Sequence, residues 1–176
     1  RPGADEVSEE EEGRRLKFAL DIVRREQSNV AISVDTYRPT LARKCIEEWG
    51  ADIINDVSEG GITGIANVPL EQREEEYPEM FRLVGELKVP YILMSVQPTL
   101  ATMMKGFAKE VQQLRDLGAK DIIIDPGFCF GKNLIQNYEI YNEMEKLNVM
   151  ELPVLVGISR KSMIYKLLGG DATTSL

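Results

Sequence analysis

Two periodicities alternate along this chain, and the alternation restricts its fold more than any other feature. Short runs rich in Ile and Val, at 30–35, 52–56, 91–96, 121–125 and 153–157, are each followed by a segment with apolar residues at helical spacing. Strands separated again and again by helices pair in parallel, because a parallel crossover needs the length that a helix supplies. The spacing predicts helices over about 8–27, 39–48 and 78–87. A fourth is opened by Pro98-Thr99 and closed by Gly118, a fifth carries Tyr138, Tyr141, Met144 and Leu147, and a short one begins near 159–161.

In the first helix, Ser8 and Glu11 have capping-box spacing, Glu9 to Glu12 place negative charge on the first turn, and Leu16, Ala19, Leu20 and Val23 make the inward stripe. The Glu run reads as a solvated helix start. Ala42, Cys45 and Ile46 face inward on the second helix; Met103, Phe107, Val111 and Leu114 do so on the fourth.

Two architectures compete. A βα-barrel closes with eight strands over typically ~250 residues. An open, doubly wound sheet of five strands would be complete within 176 residues, but no dinucleotide fingerprint follows a first strand. The expectation is therefore an α/β chain forming a single barrel domain over 1–176, partial because the first strands and the last strand are missing.

The chain is acidic, with formal net charge -8, which argues against non-specific nucleic-acid binding through clustered Lys and Arg. There is no histidine, so acid–base work would fall to Asp, Glu, Lys or Tyr. Cys45 and Cys129 lie far apart and in no metal-ligand spacing, which suits a reducing compartment. No apolar run approaches the ~20 residues of a membrane span. The reading is a cytoplasmic protein.

The chemistry concentrates at strand ends. Three apolar strands finish in Asp35, Asn55-Asp56 and Asp125. In a parallel barrel such ends converge on one mouth. A single Asp there more often caps a turn, but three in register favour a polar site. Carboxylates and an amide together match the guanidine-like edge of a pterin or purine by parallel hydrogen bonds. The fifth strand ends in Gly157-Ile158-Ser159-Arg160-Lys161-Ser162, whose cations and hydroxyls suit an anionic or electron-rich partner. The loop Asp125-Pro126-Gly127-Phe128-Cys129-Phe130-Gly131-Lys132 adds glycines, aromatic faces and a cation. A phosphate cradle is its generic reading, although Walker spacing is absent.

With these residues the sequence resembles the dihydropteroate synthase family. The signatures run in order through Arg1-Pro2-Gly3, Ser33-Val34-Asp35-Thr36, Ile54-Asn55-Asp56, Leu93-Met94, 125–132 and 156–162. The resemblance implies a (β/α)8 barrel acting as a homodimer. Such an enzyme is a transferase of folate biosynthesis and a sulfonamide target. It condenses a hydroxymethyl-dihydropterin pyrophosphate with para-aminobenzoate, with Mg²⁺ assistance. It also implies that Asp35, Asn55, Met94, Asp125, Gly157 and Lys161 hold the pterin, with Asp35, Asp125 and Lys161 catalytic. Arg1, Phe130, Ser159 and Arg160 would serve aminobenzoate or pyrophosphate, with no metal ligand in this stretch.

The sequence departs from the family at Cys129, where Gly is typical, at Ser95, where His is common, and in the long segment 58–76. Two other functions share the strand-end pattern: a methyltetrahydrofolate-binding module of a corrinoid methyltransferase, and a non-catalytic remnant of the synthase.

Overall fold

The computed structural model describes residues 7–59 and 77–174. Four strands, β1 (Ser33–Asp35), β2 (Ile53–Asp56), β3 (Tyr91–Met94) and β4 (Ile122–Asp125), form one parallel sheet in the order β1-β2-β3-β4. Between them run α1 (Glu9–Glu26), ahead of β1, then α2 (Pro39–Glu47), α3 (Glu79–Leu87) and α4 (Leu100–Asp116). After β4 come α5 (Leu134–Asn142), a 3₁₀ segment (Met144–Met150) and α6 (Ser162–Leu168). Sequential strands that are also spatial neighbours, each joined by a helix, are the arc of a βα-barrel rather than a doubly wound sheet, whose strand order reverses.

The expected fifth strand is reduced to one parallel bridge, Ile124 to Val154. Ile124 N donates to Pro153 O at 2.9 Å, and Leu155 N donates to Ile124 O at 2.9 Å. Pro153 has no N–H to extend the ladder, and beyond the bridge Leu155 and Val156 are exposed.

The core lies between the sheet and α2, α3 and α4. Ile54, Tyr91, Leu93, Ile122 and Ile124 meet Met80, Phe81, Val84, Met103, Phe107 and Leu114, all buried. The four apolar residues expected inward on α4 are all buried.

Several local expectations need correcting. On α1 the buried face is Gly13 and Leu20 with Leu16 beside them, while Ala19 and Val23 are exposed. A Cβ at Gly13 would stand 3.0 Å from Leu41 Cδ2, so this glycine lets α1 pack against α2 and turns the helix about its axis. Ser8 does accept from Glu11 N, but Glu11 does not complete a capping box. Its carboxylate pairs with Arg14 and Arg15, each at 2.7 Å, and these hydrogen bonds lower its pKa to about 2. The expected fifth helix ends at Asn142 and tightens into 3₁₀ turns, which bring Leu147 into the core. The last helix starts at Ser162, later than expected, because Arg160 has φ 57° and Lys161 is extended.

Candidate active site

Strand register decides which side chains share a face. Asp35 is opposite Asn55, Asn55 is opposite Ile92, and Met94 is opposite Asp125. Registered neighbours in a parallel sheet point the same way, and alternate residues of a strand do too. Asp35, Asn55, Met94 and Asp125 therefore occupy one face at the C-terminal ends of four strands, the face turned from the helices. Met94 and Asp125 lie one layer above Asp35 and Asn55.

Asp56 falls on the other face. It is fully buried and accepts from Tyr91 Oη at 2.6 Å, from Ser58 N at 2.7 Å and from Ser58 Oγ. Adjacent polar residues on one strand thus take different roles. Asp56 ties β2 to β3 in the core, and Asn55 makes no side-chain hydrogen bond among the described residues.

The inner-face carboxylates are electrostatically prepared. Asp35 is open to solvent, yet the protein around it desolvates the charge and raises its pKa, with Asp56 and Glu12 adding repulsion. Asp125 is half-buried, and burial raises its pKa as well. A 2.8 Å hydrogen bond from Gly127 N to Oδ1, then Lys161 and Lys132, partly offset this.

The 126–131 loop packs on the sheet end. Gly127 has φ 63°, and any Cβ there would collide with Ser95 O and press on Met94 Cγ, so only glycine fits. Lys161 Nζ donates to Phe128 O at 2.7 Å and stands 4.8 Å from the centroid of the Phe130 ring. Burial lowers its pKa, and Asp125 opposes the fall. A Cβ on Gly157 would be 3.8 Å from that ammonium, which places Gly157 beside Lys161.

Cys129 is left-handed, with φ 66°, in a conformation that favours the family's glycine. Its side chain lies against the start of α6, where Sγ accepts from Ser162 Oγ at 3.4 Å, and its N–H donates to Asn137 Oδ1 at 2.7 Å.

The structure thus gathers Asp35 with Asn55, Met94 with Asp125, and Gly157 with Phe130 and Lys161. Ser159 and Arg160 are exposed on the turn before α6. Arg1 and the stretch 60–76 lie outside the described residues.

Other supporting residues escaped the sequence reading. Glu12, assigned to the solvated helix start, accepts from Thr36 Oγ1 at 2.7 Å and pairs with Arg38 at 2.9 Å, holding the turn that follows Asp35. Buried Glu59 accepts from Val96 N at 2.7 Å beside the end of β3. Their partners are distant in sequence, and no local pattern marks them.

A parallel arc with polar side chains converging at its strand ends is the geometry of a βα-barrel segment. Residues 1–175 match the model of the pterin binding enzymes, and the chain belongs to that family. It is 34% identical over 183 residues to the dihydropteroate synthase of Escherichia coli, which covers 96% of this chain and 59% of the relative. It superposes on the 7,8-dihydropteroate synthase of Vibrio fischeri with TM-score 0.82 at 30% identity, covering 100% of this chain and 64% of the other. The dihydropteroate synthase of Xanthomonas albilineans, solved with 4-aminobenzoic acid, gives 0.80 at 29% identity, covering 96% and 59%. The chain therefore spans about three fifths of the length of these relatives.

Proposed function

We propose that this protein is a dihydropteroate synthase, joining a hydroxymethyl-dihydropterin pyrophosphate to para-aminobenzoate. The observation that carries the reading is the single inner face bearing Asp35, Asn55 and Asp125 at neighbouring strand ends, in a chain of the pterin-binding family.

The pterin's amino group and ring N–H form a planar donor pair that suits the Asp125 carboxylate in a bidentate arrangement. The Asn55 amide can both donate and accept along the same edge. Burial penalises the bare carboxylates, and a ligand that brings donors restores the ionised form. Ionised Asp35 and Asp125 would then stabilise positive charge on the pterin methylene as its C–O bond breaks and the electron pair leaves on pyrophosphate. The aminobenzoate nitrogen lone pair forms the new C–N bond, and the amine releases a proton. Phe130 and Lys161 offer a flat face and a cation for the aminobenzoate, while Ser159, Arg160 and Arg1 are assigned to the anionic groups.

Mg²⁺ enters this reading through the family alone. Among the described residues no three His, Cys, Asp or Glu side chains gather as a metal site, and no step is routed through the ion. Homodimer formation, cytoplasmic location and sulfonamide binding belong to the same proposal; among the described residues no helix is long and apolar enough to cross a membrane.

The test is calorimetry of the full-length protein with a non-reacting pterin pyrophosphate analogue. Asp125→Ala should weaken binding about 10–100-fold, the range expected for a charge-assisted bidentate pair. No binding by the parent protein, or equal binding by the variant, rejects the assignment.

A further inference from the structure

Lys132 has no part in the chemistry above, yet its ammonium is fully engaged. Nζ donates to Ser95 O at 2.8 Å, Gly127 O at 3.0 Å and Phe130 O at 3.1 Å. An ammonium has three N–H donors, so each is taken by a backbone carbonyl. The phosphate cradle read generically from this loop therefore has no free donor at its lysine.

The three carbonyls are not equivalent. Ser95 follows the end of β3 and is joined to β4 through Ser95 N to Asp125 O at 2.9 Å. Gly127 and Phe130 belong to the two arms of the loop, which are closed by Phe130 N to Gly127 O at 3.0 Å. Asn137, buried on α5, holds the same loop from the other side. It accepts from Cys129 N at 2.7 Å and donates to Lys132 O at 3.3 Å and Asn133 O at 2.6 Å. Both contacts of Lys161, the Phe128 carbonyl and the Phe130 ring, lie in this loop. A loop displacement would carry them away from Asp125 and the strand ends.

We propose that Lys132 is a positioning residue. Its ammonium clamps the 126–131 loop onto the end of β3 and so fixes the wall, Phe130 and the Lys161 ammonium, against which aminobenzoate sits. The aminobenzoate half of this statement rests on the function proposed above; the clamp does not.

The clamp needs its proton, because a neutral amine has two N–H groups for three carbonyls. Burial brings the Lys132 pKa down to about 8. Glu59 beside β3, Asp125 on β4 and Cys129 in the loop favour the charged form, and Lys161 opposes it. The ammonium is present below that pH and lost above it, so the loop loosens as pH rises through about 8.

Amide ¹⁵N shifts of Gly127 and Phe130 in the full-length protein test the clamp directly. In the parent protein both should titrate together near pH 8, and Lys132→Met should abolish the step. A parent loop that does not titrate, or a step that persists in the variant, overturns the proposal. In steady-state kinetics Lys132→Met should raise KM for aminobenzoate about tenfold. Unchanged aminobenzoate KM, or weakened pyrophosphate inhibition in its place, overturns it. If Lys132→Met does not fold, Asn137→Ala decides. A raised aminobenzoate KM with the pH step retained supports the clamp, and an unaltered KM rejects it. A loop that titrates in a protein that binds no pterin would leave the clamp standing and remove the synthase reading.

Discussion

The two faces of one sheet solve opposite problems with the same strands. On the helix side Ile54, Leu93 and Ile124 are fully buried, and the carboxylate that β2 sends there, Asp56, is met by Tyr91 and Ser58. On the inner side Asp35 and Asn55 lack side-chain partners among the described residues, and the pKa values of Asp35 and Asp125 are pushed up. A buried polar group without partners destabilises a fold; the same group at an open strand end is held ready for a ligand. Burial with partners gives stability, and partial burial without them gives binding capacity.

The sharpest way to break this contrast is to damage the helix side. Phe107→Ala should cost about 3–5 kcal/mol in denaturant unfolding, while the folded fraction binds the pterin analogue with the parent affinity. Affinity falling in step with stability would show that the faces are coupled.

Acidification addresses the inner side. Asp35 and Asp125 accept hydrogen bonds as carboxylates, and their raised pKa values mean that they protonate while the pH is still above the ordinary Asp value of 3.8. Analogue affinity, read by calorimetry, should therefore fall about 10–100-fold as pH drops through that raised range. Binding retained down to the ordinary Asp range would remove the prepared carboxylates from the account.

Tyr91→Phe should destabilise the protein by about 1–3 kcal/mol, by leaving Asp56 short of a donor, with analogue binding unchanged. The smallest effect is expected at Cys129→Gly, which relieves a left-handed backbone at the loss of a thiol contact. Thermal unfolding should rise by the equivalent of about 0.5–1 kcal/mol; a fall would mean that the Ser162 contact outweighs the strain.

Much of this arrangement was legible in the sequence. Each of the first four apolar runs is a strand, trimmed by one to three residues, because Ile/Val density and terminal Asp or Asn are local signals. Met103, Phe107, Val111 and Leu114 were readable because a 3.6-residue period repeats without interruption. The orientation of α1 was harder. Its apolar residues fit two overlapping stripes, and the close approach of Gly13 to Leu41 with the packing of Leu20 against Val34, Cys45 and Ala51 chooses between them. The helix expected through Leu147 was misjudged for a similar reason: apolar spacing continues past Asn142, but the backbone tightens to 3₁₀.

The sequence by itself determined the alternation of strands and helices, the polar strand ends and the loop chemistry around Gly127. Each depends on near neighbours and on intrinsic backbone preference. The tertiary structure decided which face each residue takes, Asn55 beside Asp35 and Asp56 in the core, because facing depends on register with another strand. It also decided that Lys132 binds three carbonyls rather than standing free, because Ser95 O reaches it across 37 residues of chain. Contacts of that range are set by packing, which no local pattern encodes.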